Sequence, residues 1–118
     1  MSITKKVINN NEYEFVNRSR SNRSGFVHET ALYLNSVLIG ENKIQYYNRT
    51  WECYQYQSVM KGIVRILMDE EFEIFKADYK QRNNIKRLTK AKEEAMMQDL
   101  AENKSPLYAD LQKLYMML

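Results

Sequence analysis

One cysteine, one histidine, one proline and one tryptophan occur in 118 residues, and the three glycines stand far apart. A single cysteine rules out an internal disulfide, and one Cys with one His cannot build a Cys/His zinc site. One histidine, His28, leaves no partner motif for a nucleophilic triad. Scattered glycines make no phosphate-cradling loop. No apolar run approaches the roughly 20 residues that a membrane helix needs. Met1 to Asn11 is polar and has no signal-peptide core. The acidic group Asp69, Glu70, Glu71 and Glu73 lacks the alternate spacing and central glycine of a calcium loop. These absences point to a soluble, cytoplasmic protein that is not an enzyme and uses neither metal nor cofactor.

Hydrophobic residues make up 44% of the chain, which is too many for a disordered protein and enough for one modest core. Net charge is +3, unevenly spread. Residues 1–65 carry nine basic and five acidic side chains, and residues 66–118 carry nine and ten. That imbalance permits a nucleic-acid partner without requiring one.

The predicted organisation is a single α+β domain over 1–118. Residues 1–10 read as a polar, flexible end. Alternation starts a strand at Glu12–Val16, and Arg18 to Gly25 reads as a polar loop. Phe26 to Leu34 and Val37 to Tyr47 read as two further strands, joined by a turn at Asn35-Ser36, with Gly40 as a bulge. A three-stranded antiparallel sheet in 12–67 would then be packed by a first helix. Val59, Met60, Ile63, Val64, Ile66 and Leu67 recur at helical spacing, with Thr50 as N-cap. Residues 69–118 read as two or three more helices. One covers Glu70–Arg82, acidic at its start and basic at its end, and stops at Asn83-Asn84. Another covers Ile85–Glu102. A last one starts at Ser105-Pro106, a cap followed by a residue preset for the first turn.

Three features have functional readings beside structural ones. Tyr46 to Gln57 holds the only Trp, the only Cys and four of the nine Tyr. Trp51 in this run is assigned to the core, pinning the first helix to the sheet. The tyrosines serve either as core or as a contact surface for bases or a protein. Arg18, Arg20 and Arg23 present three guanidiniums in the predicted loop, suited to phosphates or carboxylates. Lys80 to Lys92 carries six bases and no acid. On one helix, Arg82, Lys86 and Lys90, with Arg87 nearby, would run along one side at phosphate spacing. Each basic group is otherwise a solvated surface. At the last helix, Leu107, Leu111, Leu114 and Leu118 share a face, while Tyr115, Met116 and Met117 widen the apolar surface. These last residues either dock within the chain or meet a partner, a second copy included.

Two or three short strands, then Tyr47-Asn48-Arg49-Thr50-Trp51-Glu52, Tyr54 and Tyr56-Gln57-Ser58-Val59, then a helix, make a pattern over roughly residues 26–67. That pattern resembles small uncharacterised proteins of phages and plasmids. Many such proteins antagonise host defence, among them inhibitors of CRISPR nucleases. The resemblance implies a non-enzymatic inhibitor in the host cytoplasm, with the RNA-guided effector nuclease complex as partner. It transfers no functional residue. The alternative is a small regulatory nucleic-acid-binding protein.

Overall fold

Two asparagine-led pairs bend the chain into hairpins. Asn9 and Asn10 have φ of 51° and 66°, and Asn35 and Ser36 have φ of 48° and 70°. Positive φ at both central residues is what a two-residue turn needs to match the twist of its flanking strands. The first pair joins β1 (Ser2–Ile8) to β2 (Asn11–Asn22). The second joins β3 (Gly25–Leu34) to β4 (Val37–Tyr46). The computed structural model describes residues 1–47 and 54–118. In it the four strands form one antiparallel sheet in the order β1-β2-β3-β4, followed by three helices.

The sheet therefore exceeds the expected three strands. Residues 2–8 are not a loose end, because the Asn9-Asn10 turn folds them against β2 from Ser2↔Asn17 to Ile8↔Asn11. Nor is Arg18 to Asn22 a loop. It pairs with β3 through Arg18↔Glu29 and Arg20↔Val27, and the hairpin closes only at Asn22↔Gly25. Polar residues suffice there because the strand is already held by its ladder and needs no buried face. The Asn35-Ser36 turn and the irregularity beside Gly40 agree with expectation: the register slips between Leu32↔Gly40 and Tyr33↔Leu38.

Helix α1 runs unbroken from Gln57 to Arg82, where two helices were expected. Met68-Asp69-Glu70 contains no glycine or proline to stop it. Asn84, with φ of 55°, ends the turn after α1. Helix α2 (Lys90–Asn103) begins later than expected, where the Thr89 side chain accepts from the Lys92 amide at 3.4 Å. Helix α3 (Pro106–Met117) starts as predicted, with Ser105 accepting from the Tyr108 amide at 3.1 Å. The α1 N-cap is Tyr56; the predicted cap Thr50 and the predicted core residue Trp51 lie outside the described residues.

The helices cover one face of the sheet. Tyr13, Phe15 and Leu32 meet Met60, Ile63 and Val64 of α1 and Leu111 and Leu114 of α3 in one buried cluster. Glycine lets α1 lie close. A Cβ on Gly40 would sit 3.1 Å from Ile63 Cγ2, and one on Gly62 would sit 2.5 Å from Asn42 Nδ2. Thr30 and Asn17 are buried on this same face and satisfy each other, the Thr30 hydroxyl donating to Asn17 Oδ1 at 2.6 Å. On the opposite face Ile3, Val7 and Leu38 are exposed. Among the described residues no helix is long and apolar enough to cross a membrane.

One buried charge ties the far end of the chain to the first hairpin. Asp110 on α3 is 2% exposed. Its carboxylate accepts from Asn9 Nδ2 at 2.9 Å, from Asn11 Nδ2 at 3.1 Å and from the Tyr13 hydroxyl at 2.8 Å. Burial pushes its pKa up, but these three donors, with the charge of Lys113, hold it below the ordinary 3.8. Tyr13 moves the other way: burial, then the bond to Asp110, then the negative charge raise it well above its usual 10.0. Asp110→Ala leaves Tyr13 and two amides without their acceptor and should cost about 2–4 kcal/mol in urea unfolding. Asp110→Asn should also destabilise, because it turns an amide donor toward donors. In the wild type, Asp110's contribution is complete above pH 3.8 and falls away as the pH drops below it. An unchanged urea midpoint in both variants would refute the clamp.

Candidate functional site

The aromatic residues gather at the end of the sheet farthest from that clamp. On β3, Phe26 and His28 project to the helix face, and Tyr46 follows at the end of β4. Phe26 stacks on Tyr46 with centroids 5.5 Å apart. His28 meets both rings edge-on, each at 5.2 Å, and lies 4.5 Å from the Tyr56 ring. Ser19, opposite His28 on β2, supplies the polar centre. Its hydroxyl is 2.6 Å from His28 Nδ1 and 2.9 Å from the Tyr56 hydroxyl. His28 is thus buried and engaged, in keeping with a structural role.

Around this network is a cleft of about 490 Å³, whose lining includes Ser21, Phe26, Tyr46, Tyr47, Tyr54 and Tyr56. Tyr47 and Tyr54 are 71% and 66% exposed, whereas Phe26, Tyr46 and Tyr56 are half-buried. The half-buried rings form a packed floor, and the two exposed rings remain available for contact. Such rings can embrace a flat group by stacking or hold a cation, while their hydroxyls offer hydrogen bonds. Gly25 allows the hairpin to close beneath them. Its φ is +141°, and a Cβ there would overlap the Tyr46 carbonyl oxygen.

The predicted basic groups distribute unevenly about this end. Arg23 is exposed in the β2–β3 turn, next to the cleft. Arg18 and Arg20 occupy outward positions of β2; Arg20 also borders the cleft, and its Nη2 is 2.9 Å from Glu29 Oε1. The predicted cationic helix face does not exist. Arg82 ends α1, Lys86 and Arg87 lie in the connector, and Lys90 begins α2. Asn83-Asn84 breaks the spacing on which that face relied, and Arg82 is engaged by Asp78 at 2.7 Å and Asp99 at 3.4 Å. At the C-terminal end, Tyr115 receives a 2.7 Å bond from Arg65, and Leu118 packs on the core. Met116 and Met117, 84% and 48% exposed, point outward. Trp51, Arg49, Glu52 and Cys53 of the aromatic run lie outside the described residues.

Among the described residues no three His, Cys, Asp or Glu side chains are grouped to hold a metal ion. The Ser19–His28–Tyr56 chain escaped sequence reading, because Ser19 stood in a predicted loop. Knowledge that the β2–β3 ladder continues past Asn17 is what places Ser19 opposite His28. No family model, curated protein or solved structure matches this chain.

The hydroxyl pair can be tested without a ligand. In a double-mutant cycle of Ser19→Ala and Tyr56→Phe, the two changes should couple by about 0.5–1 kcal/mol in unfolding free energy. Strict additivity would show that Ser19 and Tyr56 do not share a bond in solution.

Proposed function

We propose that this protein is a non-enzymatic inhibitor of a host defence complex, most concretely an anti-CRISPR protein. It binds the RNA-guided effector nuclease and blocks access to target DNA or its recognition. The observation that carries a binding role is the cleft: Tyr47 and Tyr54 stand exposed beside half-buried aromatic rings, with Arg20 in the same lining. Tyrosine and arginine dominate the energetic centres of protein interfaces, because they bury large area with few rotatable bonds and still make polar contacts. The phage-like strand–NRTWE–helix pattern supplies the class of target.

A nucleic-acid reading is favoured by the exposed rings, which can stack on bases. It is weakened by the placement of the cations. Arg18 projects from the other face, Arg20 borders the cleft but is paired with Glu29, and Arg82 is occupied by two carboxylates. A backbone-tracking surface needs its cations beside the stacking platform.

The test is a target-cleavage assay with guide-loaded effector nucleases and the purified protein. One such nuclease should be inhibited, and Tyr47→Ala combined with Tyr54→Ala should weaken inhibition at least about ten-fold at unchanged melting temperature. If no effector is inhibited and the protein instead binds free single-stranded nucleic acid through these tyrosines, the regulatory nucleic-acid reading replaces this one.

A further inference from the structure

The face of the sheet turned away from the helices carries its charges in order. Along β2 the outward residues are Glu12, Glu14, Val16, Arg18 and Arg20. That is two acids, an apolar centre and two bases. Run antiparallel against itself about Val16, this strand sets Glu14 against Arg18 and Glu12 against Arg20. The neighbouring strands soften this pattern without reversing it. Lys5 pairs with Glu12 and Glu14 at the acidic end, and Glu29 lies between Arg18 and Lys43 and pairs with Arg20 at the basic end, so the first end stays net negative and the second net positive. The centre is apolar: Ile3, Val16, Ala31, with Tyr33 and Leu38 one row away.

We propose that this face binds a second copy of the chain, with the two sheets stacked face to face about a two-fold axis that crosses the strands at Val16. A two-fold axis along the strands would bring basic end to basic end and is disfavoured by the same charges. The charge pattern therefore selects both the occupant and its orientation. Arg18 has no carboxylate partner among the described residues, so its pairing capacity is unspent within one chain. Beside it lies a groove of about 610 Å³, lined by Val16, Arg18, Glu29, Ala31 and Lys43, among others. The two-fold axis sets Tyr33 of the second copy opposite Glu29 at this groove, where its hydroxyl can donate to that carboxylate with Arg18 and Lys43 on either side. Four strands about 4.8 Å apart and about ten residues long offer about 600 Å² per copy. The pair then buries about 1,200 Å², the lower end of the range for specific interfaces. One like-charged encounter remains, Glu41 against its own copy, two strands from the centre. The aromatic cleft lies on the opposite face and stays open in both copies.

Sedimentation velocity of the purified full chain tests the arrangement. The wild type should dimerise, and more weakly at high salt. Arg18→Glu alone and Glu14→Arg alone should each weaken dimerisation at least about ten-fold, because each sets like charges face to face. An equimolar mixture of these two variants should dimerise again, since each then carries the charges the other lacks. The double variant Glu14→Arg with Arg18→Glu should also recover. Recovery on mixing requires both variants to be folded, so simple misfolding cannot mimic it. A wild type that remains monomeric at the highest attainable concentration overturns the proposal. So does a dimer indifferent to both single variants, which would place the contact elsewhere. A monomer whose binding to an inhibited nuclease is lost on Arg18→Glu would give this face to the target instead, and would equally overturn it.

Discussion

A single buried carboxylate organises the molecule. Asp110 lies near the end of the chain, and its three donors lie within five residues of one another near the start. A charge removed from water must be paired or fully hydrogen-bonded, and here the bonds come from one hairpin turn and the strand beyond it. The network reaches further. Asn11 accepts at its oxygen from Asn35 Nδ2 at 3.0 Å, and Asn35 in turn accepts from the Glu12 amide at 2.8 Å. Both two-residue turns and α3 are thereby locked together at one end of the sheet. Leu111 and Leu114 follow on the same helix and fill the core beside α1. Hydrophobic burial supplies the drive for that packing, and the carboxylate fixes which end of the sheet α3 meets.

The consequence is a two-faced sheet. The helical layer covers Tyr13, Phe15 and Leu32 but leaves the other face to a charge-striped surface with an apolar centre. A solvated sheet face is tolerated when its charges find opposite partners across strands, and on this one Lys5 bridges Glu12 and Glu14 while Arg20 bridges Glu29. At the far end, beyond the reach of α3, rings dominate the inner face, with Ile44 of β4 beside His28. Phe26, His28, Tyr46 and Tyr56 pack on one another there, and the Ser19 hydroxyl bonds to His28 Nδ1 and to the Tyr56 hydroxyl. The carboxylate network thus lies at one end of the sheet and the exposed tyrosines at the other.

Much of this was legible from the residues, and the failures have physical causes. Phe26–Leu34 announced itself by β-branched and aromatic alternation, Asn35-Ser36 by turn chemistry and Ser105-Pro106 by capping. Strand β1 did not, because its outward row of Ile3, Lys5 and Val7 mixes charge with apolar residues and blurs the alternation. The Asn9-Asn10 pair was its one local signal. Arg18–Asn22 resembled a loop because a strand segment held by its ladder alone needs no apolar residue. The expected cationic helix face failed at Asn84, whose positive φ ends a pattern that side-chain spacing alone would continue. The Asp110 network was beyond sequence reasoning altogether, since its partners stand 97 to 101 positions away. The convergence of Tyr46, Tyr47, Tyr54 and Tyr56 on the Ser19–Arg20 end of β2 likewise follows only from the strand register.

The claim on which the rest turns is that Asp110 is ionised and satisfied inside the folded chain. Its side-chain carboxyl carbon can be followed by NMR through an acid titration of the native protein. The account predicts a titration midpoint below 3.8, shifted up toward that value in the Tyr13→Phe variant, which removes one donor. A midpoint at or above 3.8 in the wild type, or one that Tyr13→Phe leaves in place, would contradict it.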